Sequence, residues 1–367
     1  MDFDSERLRD RIMGCWMGKN CGGTLGDPLE EAFGREEPFD IDWYPKLEPG
    51  GNPNDDLEMQ LVWLKALEEV GTNLNARDLA QYWLDHIGYN FDEYGLSKTN
   101  LRLGLRPPAS GIYNNWFNSC MGCPIRSEIW ACTAPAAPRI AVRYAYQDAI
   151  CDHAGGESVW GELFNTSMES AAFVVSDLNK ILDIGRSYVP DGTETAKAID
   201  TAREAHRRGD DWRQARKAVL AATPSKIAQY SPINMGFQVI GLLYGEDFGH
   251  TLCLTVNCGY DTDCTGATVG AILGIIHGYS GLPQKWVSPL GDTIATNASW
   301  GGIKHVLEGK NPIPVELNEL TDRTIAVARR VMAGVEAAED ALVADDTVFA
   351  LAEGNPMSVS YAAPEQN

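Results

Sequence analysis

Two runs of glycine at four-residue intervals constrain this chain more than any other feature. Gly14, Gly18, Gly22 and Gly26 form the first, and Gly266, Gly270, Gly274 and Gly278 form the second. A spacing of four places each set on one face of a helix. A glycine inside a helix costs about 1 kcal/mol relative to alanine. Repeating that cost makes sense if the smooth faces let helices approach closely at the centre of a bundle. Stretches 5–26 and 262–278 are therefore read as core helices and as candidates for packing against each other.

Helical periodicity continues along the chain. Residues 55–70 carry Leu57, Leu61, Leu64 and Leu67 in register. Further helices are expected over 76–86, 139–152, 158–183, 234–244, 247–257 and 320–338, and two over 193–222 with a break at Gly209. Runs that alternate every second residue are scarce, so the expected fold is all-α. Segments 34–54 and 95–125, rich in Pro, Gly and Asn, are read as long loops, which in compact helical domains are often functional. No linker or internal repeat divides the chain, so residues 1–345 are expected to form a single domain. Residues 346–367 read as a weakly packed C-terminal tail.

The formal net charge of −21 over 367 residues argues against nucleic-acid and anionic-membrane partners. Small sugars and cations remain compatible with it. The first sixteen residues lack the apolar core of a signal peptide, and no apolar run is long enough to span a bilayer. Nine cysteines at irregular spacing read as reduced thiols, so a cytoplasmic protein is expected. Cys120 and Cys123 form a C-x-x-C without a second pair, which reads as packing in a loop.

The chemistry concentrates in two acid pairs. Asn54-Asp55-Asp56 opens the 55–70 helix, and Asp261-Thr-Asp263 opens the 262–278 helix. Each pair could simply serve a helix N-terminus, and Asp55-x-x-Glu58 has the form of a capping box. If the two helix starts converge, however, four carboxylates and an amide oxygen crowd into one volume. Unit charges about 4 Å apart repel by about 4 kcal/mol at an effective dielectric of 20. A divalent cation would offset that. Oxygen ligands without clustered His or Cys suit Mg²⁺ or Mn²⁺, with Ca²⁺ a lesser fit, rather than zinc.

Three blocks in order, "GCWMGKNCGGTLGDPLE" (14–30), "NDDLEMQ" (54–60) and "GYDTDCTGATVGAILG" (259–274), resemble motifs of the ADP-ribosylglycohydrolase family. The segment "YAYQDAICDHAGGE" (144–157) resembles the family's stretch with a His after a helix. The resemblance implies a single-domain orthogonal helical bundle and a site for two Mg²⁺ (or Mn²⁺) ions. It implies Asn54, Asp55, Asp56, Asp261 and Asp263 as metal ligands, with Asp263 bridging. Glu30 would complete the site, with Glu31 as the reserve. Three departures bear on that site. Asn54 replaces a threonine, Leu57 replaces another, and Cys264 stands where Ser or Thr commonly binds metal. A thiol is a poor match for Mg²⁺ at the second metal position.

The activity implied is hydrolysis of an N- or O-glycosidic bond at C1 of a ribose-like furanose. The substrate would be an ADP-ribosylated target or a smaller nucleoside or furanoside. Glu30, Asp55 and Asp263 are the catalytic candidates, with Glu30 as base toward water. His153 is a candidate for substrate contact or for a structural hydrogen bond at a helix end. Glu128 and Arg126 would reach substrate or form a surface ion pair. Trp116 and Tyr113 would stack on a sugar or base, or pin their loop. The alternative is a catalytically inactive binding or structural relative of the crystallin kind. Retention of all four aspartates argues against it.

Overall fold

The computed structural model describes residues 2–309, 311–335 and 342–353. Among these, no strand forms; pairing between extended segments is limited to isolated bridges such as Cys120 with Tyr230. The helices are α1 (Glu6–Gly26), α2 (Asp55–Val70), α3 (Ala76–His86), α4 (Asp92–Arg102), α5 (Ala109–Ile112), α6 (Ser127–Thr133), α7 (Pro138–Asp152), α8 (Glu157–Ala172) and α9 (Leu178–Ser187). They continue as α10 (Glu194–Arg208), α11 (Trp212–Ala222), α12 (Ser231–Tyr244), α13 (Phe248–Asn257), α14 (Thr262–His277), α15 (Gln284–Val287), α16 (Leu317–Val331) and α17 (Asp346–Glu353). The all-α expectation holds.

The two glycine faces meet. α1 and α14 run antiparallel in contact along their length. A Cβ on Gly14 would overlap the Gly274 carbonyl, one on Gly18 the Gly270 carbonyl, and one on Gly22 the Gly266 carbonyl. The pairing continues to Gly26, where a Cβ would strike the backbone of Thr262. Only hydrogen fits at these positions, because backbone lies against backbone. The register has a functional consequence: the C-terminal end of α1 is fixed against the N-terminal end of α14. The Thr262 hydroxyl seals that junction by donating to the Gly26 carbonyl at 2.9 Å. One large apolar cluster, from Leu8 to Val348, surrounds the pair and takes in Trp16, Trp63, Trp83 and Trp130.

Several expected boundaries need correction. Stretch 158–183 is two helices, because the Asp177 side chain caps a new start by accepting from the backbone N–H groups of Asn179 and Lys180. Segment 95–125 is not all loop. α4 enters it and α5 lies within it. The polar α4 hid its inner face, which buries Tyr94, Ser97, Lys98 and Asn100. Lys98 is held there by the carbonyl oxygens of Ile87 and Tyr89. α6 was not foreseen. The expected helix 320–338 starts at Leu317 and ends at Val331, and residues 336–341 lie outside the described residues. α17 opens the segment read as a tail, with Val348 buried. The remainder, 354–367, lies outside the described residues.

Candidate metal centre

The α1–α14 junction brings the acidic groups together. Asp261 precedes α14 and is reached through two consecutive left-handed residues, Gly259 (φ 77°) and Tyr260 (φ 66°). That conformation is costly for a bulky residue. Tyr260 is held in it by its hydroxyl, which donates to the Ser225 carbonyl at 3.2 Å, and by edge contact with Phe237. The Asp261 side chain makes no capping bond. Its backbone N–H instead donates to the Asn234 side chain at 3.2 Å. The carboxylate is thereby turned away from the helix end and left for another partner.

α2 supplies the opposing pair. Its N-cap is Asn54, whose side-chain oxygen accepts from the Asp56 N–H at 2.8 Å. Asp55 and Asp56 therefore sit in the first turn without capping it, and no capping box through Glu58 forms. The Glu58 carboxylate is taken by the Tyr89 hydroxyl and the Asn297 N–H.

Two overlapping groups of side chains that could hold a metal ion result. Carboxylate oxygens of Glu30, Asp261 and Asp263 lie within 4.8 Å of one another, and so do ligand atoms of Asp56, Asp263 and Cys264. Asp263 belongs to both. Two unit charges at that separation repel by about 3.5 kcal/mol at an effective dielectric of 20. Yet both oxygens of Asp56 and one each of Asp261 and Asp263 are buried without any hydrogen-bond partner. Buried polar groups are nearly always paired, so orphaned carboxylate oxygens converging from two elements fit a cation. The same crowding shifts the acids. The Asp263 charge and then burial push Glu30 up to about 8. Burial and then Asp263 push Asp55 up to about 6 and hold Asp56 and Asp261 well above the usual carboxylate range.

The acids open into a cavity of about 290 Å³ lined by Glu30, Asp55, Asp261, Asp263 and Cys264, with Phe91, Asp92, Glu93 and Tyr94 on the α4 side. A larger, shallower groove of about 610 Å³, bounded by Trp212, Lys285 and Trp286, shares none of these residues. The acid cluster opens into the smaller one, which is the candidate site.

The other expected site residues divide. Glu30 faces the cluster and takes a hydrogen bond from Gln229, whereas Glu31 pairs with Arg35 at 3.2 Å. Asp55 accepts from the Tyr94 hydroxyl at 3.1 Å and borders the cavity, but it belongs to neither compact ligand set. Asn54 lies beside the cluster. Its oxygen is committed to the cap, which turns its NH₂ toward Asp263 at 2.6 Å.

Glu128 is corrected as a substrate contact. It is fully buried against the Lys19 ammonium at 2.9 Å and the Gln60 amide at 2.8 Å. Arg126 is likewise buried, paired with Asp148 and Asp152, and is not a surface ion pair. His153 does not line the cavity. It is buried behind Glu93, with Nε2 3.2 Å from the Glu93 carboxylate. Trp116 and Tyr113 are exposed and outside the lining. All nine cysteines are buried free thiols.

Sequence reasoning missed Asp92, Glu93, Tyr94, Gln229 and Phe91. A signal for the first two existed. Asp92-Glu93 is a third acid pair at a helix start, of the same kind as Asp55-Asp56.

The family model described as ADP-ribosylglycohydrolase matches residues 4–340. The chain belongs to the ADP-ribosylglycohydrolase family, a family of glycosyl hydrolases that is generally metal-dependent. A solved structure named "ADP-ribosylglycohydrolase-related protein complex" resembles it with a TM-score of 0.61 at 17% identity, covering 89% of this chain and 100% of that one. At that identity the likeness speaks for the fold. No curated protein matches the sequence. Among the described residues, no helix is long and apolar enough to cross a membrane.

Proposed function

We propose that this protein is a divalent-metal-dependent glycoside hydrolase that cleaves an N- or O-glycosidic bond at C1 of a ribose-like furanose. The observation that supports this reading most is the set of buried, unpartnered carboxylate oxygens of Asp56, Asp261 and Asp263 beside a sugar-sized cavity. Asp56, Asp261, Asp263 and Glu30 would hold the ions. When bound, divalent ions supply positive charge that fixes vicinal hydroxyls and polarises water.

The chain's own residues do the rest. Asp55, oriented by Tyr94, and Glu93, backed by His153, present negative charge to a sugar ring that gains positive character as the bond to C1 breaks. Glu30 is steadied by Gln229 and stands at the cavity mouth. Its carboxyl is raised by Asp263, and a cation on Asp263 would lower it again and leave Glu30 ionised. That suits a base taking a proton from attacking water. Phe91 at the lip, 51% exposed, offers an aromatic face to a leaving base, the role first expected of Trp116.

The cavity lining contains no Lys, Arg or His. Its volume is at the low end for ligand cavities, about 300–1,000 Å³. Both features favour a neutral nucleoside or furanoside over an ADP-ribosyl group, whose diphosphate would face acids.

The test is a panel of nucleosides, aryl furanosides, ADP-ribosyl-arginine and ADP-ribosyl-serine assayed with Mg²⁺, Mn²⁺ or EDTA. Neutral substrates should turn over only with metal. Asp56→Ala and Asp261→Ala should abolish turnover while keeping the helical circular dichroism. Undiminished hydrolysis in EDTA, or near-normal rates in both variants, would refute the assignment.

A further inference from the structure

We infer that the two cation positions are chemically unlike: the Asp56–Asp263–Cys264 set takes a thiolate-seeking ion of the zinc class, and the Glu30–Asp261–Asp263 set takes a hard ion such as Mg²⁺ or Mn²⁺. This rests on the metal-dependent reading above and goes beyond it in assigning an ion class to each position.

Three observations carry it. First, the donor sets differ. One is carboxylate only, and the other pairs two carboxylates with a sulfur, all within 4.8 Å. Thiolate ligands select zinc-like ions, whereas carboxylates suit Mg²⁺ and Mn²⁺. Second, Cys264 is fixed where it is. It lies in the first turn of α14, whose register is locked by the glycine contact with α1. It also borders the cavity, which none of the other eight cysteines does. Third, Asp56 is only 1% exposed and both of its oxygens lack a hydrogen-bond partner. The Cys264 thiol is close enough to Asp56 to steady its carboxylate, so sulfur and carboxylate share one small volume. A cation satisfies the carboxylate and the sulfur together. Two carboxylates and one thiolate also make three protein ligands, the number that leaves a zinc-class ion an open position. As the metal–sulfur bond forms, the thiol proton leaves to solvent.

The test uses the full chain stripped of metal with EDTA. Cd²⁺ serves as the spectroscopic probe, and Zn²⁺, Mn²⁺ and Mg²⁺ are titrated by calorimetry. Cd²⁺ should produce an ultraviolet sulfur-to-metal charge-transfer band that saturates at one equivalent. Cys264→Ser should lose the band and bind Zn²⁺ at least about tenfold more weakly, since even residues behind a ligand set cost 10–100-fold. The serine variant should retain Mn²⁺ binding at the other position. Glu30→Gln should keep the band and weaken Mn²⁺.

Zinc-edge X-ray absorption on the unsubstituted protein should show one sulfur scatterer, so the outcome does not depend on how the variants fold. Mn²⁺ binding with no sulfur scatterer, or a band that persists in Cys264→Ser, would overturn the inference and leave the proposed hydrolase standing. Absence of any divalent-ion binding would end both.

Discussion

Replacing Gly18 by alanine should be destabilising despite alanine's preference for helices. In an open helix the change would gain about 1 kcal/mol. Here the new Cβ would lie 2.7 Å from the Gly270 carbonyl carbon and closer still to its oxygen. Carbon atoms pack at about 3.5–4.0 Å, so α1 and α14 must separate locally by about 1 Å. Overpacking of this kind costs typically 1–3 kcal/mol, and occasionally more. A gap of 0.5–1 Å along the neighbouring contact also forfeits a quarter to a half of its dispersion attraction. Overpacking less the propensity gain leaves a net loss of up to about 2 kcal/mol, to which the lost dispersion adds, read as a lower urea midpoint by far-ultraviolet circular dichroism. Gly23, on the same helix, is the control. Its Cβ would meet only the Ala267 methyl at 3.7 Å, so Gly23→Ala should be neutral or stabilising by up to about 1 kcal/mol. Gly18→Ala at or above the stability of the unsubstituted protein would refute the close-approach argument.

Two further outcomes follow from the buried charges. Glu128→Ala leaves the Lys19 ammonium buried and unpaired, which should cost about 3–5 kcal/mol in urea unfolding. A loss below 1 kcal/mol would show that the pair is solvated. His153 is buried, which disfavours its charge, but Asp152 and Glu93 outweigh that and raise it from 6.5 to about 9. A raised histidine stabilises the fold fully below pH 6.5, and the benefit is lost as pH rises through 9, up to about 3 kcal/mol at most. Stability measured between those values should fall in the parent and stay flatter in His153→Gln. Identical slopes would contradict a protonated His153.

The placement of Glu93 shows why part of the site stayed hidden. Its acid pair with Asp92 was visible, but α4 has no apolar stripe to announce it, because buried Lys98 and Asn100 are satisfied by distant backbone carbonyls. Glu128 failed for the opposite reason. An acid beside an arginine reads as surface, and only packing puts a lysine from α1 against it. Asn54 at the head of α2 was legible as an N-cap, and only the tertiary structure placed its NH₂ 2.6 Å from Asp263.

By itself the sequence determined what repeats locally. The helical periods, the two smooth glycine faces and the acids at the heads of α2 and α14 follow from side-chain spacing on one chain segment, which is a short-range property. The tertiary structure alone decided which oxygens were left without partners, that Glu30 and Asp56 both come within reach of Asp263, and that Cys264 lies beside Asp56. Those facts depend on the relative position of helices some two hundred residues apart: α1 and α14 are fixed by backbone contact, and α2 packs against both.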